Sequence, residues 1–174
     1  MGFPNTLPIK VGAKDASGTN TGLLGRIFEV DGRIFRLVKS TGTIAAGSGG
    51  LFVSTAFSSG VPTWSVAVNG TANNPFVVGV IPAIDTSGTT VNTTAFAAGD
   101  VFLVQISGPT QVQVASSNVI NTTTNGLKVD TNGLAAVIAT SIEGGAPIFY
   151  VGYATNTTAA TSGSLRTVML EGML

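Results

Sequence analysis

Hydrophobic and polar positions alternate along much of the chain with the period of β-strands. The clearest case is Arg26-Ile27-Phe28-Glu29-Val30, then Asp31-Gly32, then Arg33-Ile34-Phe35-Arg36-Leu37-Val38. Asp-Gly between two β-prone runs predicts a two-residue type I′ hairpin, because both turn positions need positive φ. In that register Phe28 stands opposite Phe35, and Val30 and Leu37 share their face. Ile27, Glu29, Ile34 and Arg36 fall on the other face, with Glu29 and Arg36 in diagonal reach.

Further strands are predicted at 51–55, 63–68, 76–81, 101–106, 111–115, 127–129, 148–154 and 165–170. Gln111-Val112-Gln113-Val114 alternates strictly, and Ser107-Gly108-Pro109-Thr110 is expected to turn it back on 101–106. Pro62, Pro75, Pro82 and Pro147 fall at strand ends, where a missing N–H costs least. The stretch 134–142 fits either a strand or a two-turn helix. Short strands separated by Gly/Asn turns predict an all-β fold, with short antiparallel strands in a β-barrel- or β-sandwich-like body.

Internal echoes accompany the strands. Ile44-Ala45-Ala46-Gly47 resembles Phe96-Ala97-Ala98-Gly99, and Pro75-Phe76-Val77-Val78-Gly79 resembles Pro147-Ile148-Phe149-Tyr150-Val151-Gly152. Thr124-Asn125-Gly126-Leu127 recurs as Thr131-Asn132-Gly133-Leu134. Unequal spacings rule out a solenoid. The echoes fit two small β lobes, and they equally fit the likeness that glycine-punctuated strands share by composition. The organisation expected is an extended N-terminal arm at 1–20, a β lobe with the Asp-Gly hairpin at 21–115, and a C-terminal lobe at 116–174. The boundary is soft enough for the two lobes to be one domain.

Composition narrows the chemistry. The 174 residues include no cysteine and no histidine, and only eight basic and eight acidic side chains. Thiolate nucleophiles, sulfur-ligated metals, histidine-based triads and most zinc sites are thereby excluded, and no cofactor is expected. Zero net charge argues against nucleic acid as a partner. With 24 Thr, 14 Ser, 11 Asn and 23 Gly, small polar residues replace charge, while mean hydropathy stays at +0.45. A surface so poor in charge suits a stable assembly; a monomer coated in Thr, Ser and Asn is the alternative. Pro4, Asn5 and Pro8 break any apolar run of a signal peptide. Nothing approaches the ~20 apolar residues of a spanning helix, and aromatic girdles of a membrane barrel are missing.

Candidate sites are few. Gly47-Ser48-Gly49-Gly50 lacks the Lys-Ser/Thr and the helix of a phosphate loop. Asp85-Thr86-Ser87-Gly88 resembles the Asp-Thr/Ser-Gly loop of aspartic proteases, but is one residue too long, so it reads as a turn. The other carboxylates are scattered, without the pairing of a glycosidase or a calcium loop. Asn-x-Thr occurs at Asn69, Asn92, Asn121 and Asn156, about as often as this composition gives by chance. One asymmetry stands out. Residues 10–39 hold six basic and three acidic side chains, whereas 40–174 hold two basic and five acidic ones, so a neutral total hides two ends of opposite charge. An ordinary solvated hairpin accounts for this, and so does a docking end that meets an acidic surface, with the arm ordering there.

Three segments carry a family resemblance: Ala97-Ala98-Gly99-Asp100-Val101-Phe102-Leu103-Val104, then Pro147-Ile148-Phe149-Tyr150-Val151-Gly152-Tyr153-Ala154, then Ser162-Gly163-Ser164-Leu165-Arg166-Thr167-Val168-Met169-Leu170. Together they resemble the bacteriophage head decoration, or capsid cement, proteins. The resemblance covers 95–174; residues 1–94 match in composition only, and 40–95 go beyond the compact members. It implies a non-enzymatic protein on the outer surface of the head, clamping neighbouring major capsid subunits as symmetric trimers or dimers. Arg26, Arg33, Arg36 and Lys39 would then face the capsid. Two rivals remain. A phage tail, fibre or host-adhesion module should expose an aromatic or polar pocket at a tip, and Trp64, Tyr150 and Tyr153 better suit core positions. A carboxylate-only hydrolase would need two acids to converge.

Overall fold

The computed structural model describes residues 4, 6–71, 74–91, 94–115, 119–120, 126–137, 151–154, 158–159 and 163–172. The fold is all-β as expected; besides strands, the described residues form only two 3-10 turns, Thr21–Leu23 and Thr131–Gly133. The first strands are β1 (Lys14–Asp15), β2 (Ile27–Val30), β3 (Arg33–Ser40), β4 (Phe52–Ser58), β5 (Val61–Val68), β6 (Val77–Val80) and β7 (Val101–Gln113). Five close a small barrel: the order β7-β6-β4-β5-β3 returns to β7 through a β3–β7 ladder. All its ladders are antiparallel except β3 with β5, a parallel contact of Lys39 with Ser65 and Ser40 with Val66.

The barrel is filled by Val38, Val53, Val66, Val78, Phe102, Val104 and Ile106. Phe96 stacks on Phe102 with ring centres 4.3 Å apart. The first echo has a structural basis. Ile44 and Phe96 bridge each other, the N–H of each donating to the other's carbonyl at 2.9 Å, and both side chains belong to the barrel core.

The Asp-Gly hairpin forms in the expected register, Phe28 opposite Phe35, with Asp31 at φ 50° and Gly32 at φ 71°. Its Phe28, Phe35 and Leu37 point away from the barrel interior. With Val101 and Leu103 they build a second core on the outside of the wall, covered by Leu7, Ile9, Val11, Leu23 and Leu24. The described part of the expected arm therefore lies along the barrel. Its β1 pairs Lys14 with Phe102 and Asp15 with Val101, and the Pro4 carbonyl accepts the Glu29 N–H at 3.0 Å.

The turn expected at 107–110 does not form, and β7 runs unbroken through it. Gly-Pro is turn chemistry locally, but here it is the kink by which one strand leaves the barrel for a second sheet. Gly108 has φ +91°, and a Cβ there would lie 2.5 Å from the Gly32 carbonyl oxygen, so this position requires glycine. Pro109, which has no N–H to offer, sits where the strand changes partners. The buried Gln105 donates from Nε2 to the carbonyls of Ser107 (3.1 Å) and Pro109 (2.9 Å), on either side of the kink.

The remaining strands are β8 (Val119–Ile120), β9 (Gly126–Val129), β10 (Ala135–Val137), β11 (Gly152–Ala154), β12 (Thr158–Ala159) and β13 (Leu165–Leu170). The second sheet runs β7-β13-β11-β9-β10, and β8 pairs β12 separately. Val112, Val114, Leu127, Val168 and Leu170 pack on Phe52, Val77 and Val80 to form a third core. The ambiguous stretch 134–142 is a strand at Ala135–Val137. Residues 138–142, and the expected strand at 148–150, lie outside the described residues. Among the described residues no helix is long and apolar enough to cross a membrane.

Candidate functional site

The four basic side chains expected on one docking face are separated by the fold. Arg33 is only 7% exposed and donates from Nη1 to the Asp85 carbonyl at 2.5 Å. Arg36, 6% exposed, alternates with Val38 on the inner face of β3. Its guanidinium carbon lies 4.5 Å from the centre of the Trp64 ring. Its Nε and Nη1 are buried with no hydrogen-bond partner among the described residues, and burial lowers its pKa from the ordinary arginine value. Trp64 has φ +55°, and its indole packs so closely on Gly25 that a Cβ there would overlap it. Together Trp64 and Arg36 fill the wedge where β2 and β5 diverge along one edge of β3. Arg26 is exposed and Lys39 half-buried. Strand alternation puts both on the outer face of the hairpin, with the Arg26 carbonyl accepting the Leu37 N–H.

The acids near this wall are engaged in their own loops. Asp15 accepts the Ser17 hydroxyl and the N–H groups of Ser17 (3.0 Å) and Asn20 (2.9 Å). The Ser17 bond above all holds its carboxyl down at about 2. Asp85 accepts the Ser87 N–H and hydroxyl and the Thr89 N–H, at 2.9, 2.7 and 2.9 Å. Its pKa is lowered for the same reason, the Ser87 hydroxyl first. In both loops the serine hydroxyl also meets the following threonine, Ser17 with Thr19 at 2.7 Å and Ser87 with Thr89 at 3.0 Å. Asp-x-Ser-Gly-Thr is thus one loop used twice, a repeat that direct comparison of 15–19 with 85–89 finds and the strand-centred echoes missed. Asp85-Thr86-Ser87-Gly88 is the turn its spacing predicts.

Asp100, nearly buried, pairs with Lys14 Nζ at 2.9 Å and accepts the Ala97 N–H at 2.7 Å; the Lys14 contact chiefly lowers its pKa. Lys14 also donates to the Ala95 carbonyl at 3.0 Å, tying β1 to the approach of β7. Asn69 is fully buried, donating from Nδ2 to the Thr71 carbonyl at 2.6 Å and accepting from Asn74 at 2.8 Å. The other three Asn-x-Thr sites contain positions outside the described residues.

A depression of about 520 Å³ lies between the N-terminal segment and the Asp85 loop, lined by Leu7, Ile9, Lys10, Val11, Asp85, Thr86 and Val91. Its lining is mainly apolar, and Asp85 brings a carboxylate already held by three donors. Among the described residues no three acidic side chains gather as a metal site would need. Tyr153, expected in the core, is 40% exposed, whereas Trp64 is half-buried. Tyr150 lies outside the described residues.

No family model matches the chain, and no curated protein is similar to it. Among solved structures, the chain is similar to the head fiber gp8.5 N base of bacteriophage phi29. That likeness has 14% identity and a TM-score of 0.45, and it covers 82% of this chain and 98% of that one.

Proposed function

We propose that this chain is a structural virion protein that decorates the outside of a bacteriophage head and clamps neighbouring major capsid subunits, working as symmetric trimers or dimers of itself. The observation that carries the reading is where the ionised side chains go. Asp15, Asp85, Asp100, Lys14 and Arg33 are tied into loop and strand contacts, and Arg36 is buried against Trp64. The fixed, β-rich body they hold has a long uncharged stretch at 40–84. Such a surface suits burial against many identical neighbours, where weak contacts repeated by symmetry add up to avidity. The resemblance to capsid cement proteins falls on β7, on the segment that ends in β11 and on β13, and β13 pairs with both of the others.

Capsid docking is then the work of Arg26 and Lys39 on the outer face of the hairpin, with Arg33 and Arg36 keeping that hairpin in place. Purified protein mixed with undecorated heads should bind saturably at micromolar concentration. The double variant Arg26→Glu/Lys39→Glu should bind more weakly and with a smaller salt dependence, at unchanged thermal stability. Failure of the parent protein to bind heads would overturn the reading. A second reading, a tail, fibre or host-adhesion module, is favoured by one observation, the exposed Phe57–Phe76 ring pair.

A further inference from the structure

We propose that the wedge between β2 and β5, where Arg36 lies against Trp64, is a binding site for a small monovalent anion of the halide class. The inference does not depend on the docking reading. Arg36 is a buried cation whose Nε and Nη1 have no hydrogen-bond partner among the described residues. Its neighbours across the ladders are apolar, Ile27 on β2 and Val104 on β7, and the Trp64 ring lies 4.5 Å from its guanidinium carbon. The hairpin register sets Glu29 opposite Ile34, in diagonal reach of Arg36. Yet Glu29 is exposed, and among the described residues it makes no ion pair with Arg36. Burial alone lowers the pKa of Arg36, with no acid of the chain offsetting it.

The chemistry of the wedge selects its occupant. A neutral acceptor such as water takes a hydrogen bond from Nε or Nη1 but leaves the buried positive charge uncompensated. An anion accepts the hydrogen bond and cancels the charge together. A doubly charged oxyanion replaces one unmatched charge with another and costs more to strip of water. A singly charged, weakly hydrated ion costs least, and the guanidinium is itself weakly hydrated. The apolar surround of Ile27, Ile34, Trp64 and Val104 favours the same ion. Bound there, it braces the seam between β2 and β5, which no ladder joins among the described residues.

Trp64 is the one tryptophan of the chain, so its fluorescence reports on the wedge without a label. Bromide is the probe, because it quenches an indole that it touches. In the parent protein it should quench in a saturable phase, half-complete at about 1–10 mM. Linear collisional quenching of the half-buried ring adds to that phase. Arg36→Met should lose the saturable phase, whereas Lys10→Met, which removes the same charge from an exposed position, should keep it. Without halide, the parent and Arg36→Met should unfold alike. At a bromide concentration about ten times the half-saturating one, the parent's unfolding constant should fall about tenfold more than the variant's. Purely linear quenching of the parent would overturn the proposal, and so would a saturable phase that survives in Arg36→Met. A saturable phase that appears only in Glu29→Gln would overturn it too, by making Glu29 the partner of Arg36 in solution.

Discussion

Arg36 is a cation held inside a barrel wall with an aromatic ring for company and two donor atoms unpartnered among the described residues. The indole face contributes about 0.5–2 kcal/mol, while removing an ion from water costs several kcal/mol. An apolar side chain of similar length should therefore do as well. Arg36→Met is expected to keep the unfolding free energy from urea titration within about 1 kcal/mol of the parent, while Arg36→Glu should lose about 3–5 kcal/mol. Equal losses in the two variants would mean that the guanidinium has an anionic partner. Strand alternation in the sequence separates Arg36 from Phe35 and Leu37 correctly, but not which face closes over. Closure depends on a two-residue parallel contact and on Trp64 at positive φ, and neither leaves a mark on local periodicity.

The twin Asp-x-Ser-Gly-Thr loops give stability a defined pH response. Asp15, Asp85 and Asp100 all have folded-state values below the unfolded 3.8. Their contribution is fully present above that pH and is lost as pH falls through the folded values, to about 2 for Asp15. Denaturant midpoints should fall steeply below pH 3.8, and the drop should be shallower in Asp15→Asn and Asp85→Asn. An unchanged slope in both variants would show that the loops do not hold their carboxylates differently from the unfolded chain.

Among the elements, β7 organises the fold, because it closes the barrel with one half and opens the second sheet with the other. Its kink can be tested against an internal control. Gly108 and Gly99 share φ +91°, but a Cβ meets the Gly32 carbonyl at Gly108 and open space at Gly99. Gly99→Ala should cost only the conformational penalty of about 1–3 kcal/mol, and Gly108→Ala clearly more, read from thermal or urea unfolding. Equal costs would contradict the close approach. The Asp-Gly hairpin was legible because turn chemistry and alternation agree there. The kink was not, since Gly-Pro favours a turn locally and only the tertiary change of partner keeps the strand going. The echoes were half legible. The Ile44 and Phe96 segments proved to bridge each other. In the second echo, Gly79 and Gly152 both sit at positive φ, 156° and 153°, where a Cβ would run into the adjoining strand. What those likenesses do in space follows from the barrel.

At the scale of the whole molecule, the small number of charges in the composition is matched by where the structure spends them. Eight basic and eight acidic side chains would be few for a freely soluble surface of 174 residues. Several of them work inside the chain, while Arg26 stays exposed and Lys39 half-buried on the outer face of the hairpin. The number of copies per particle tests this account most directly, measured by quantitative mass spectrometry of purified virions against the major capsid protein. A decoration protein must be present in proportion to the capsid subunits and remain with tailless heads. A copy number matching only a tail or a single vertex would contradict it.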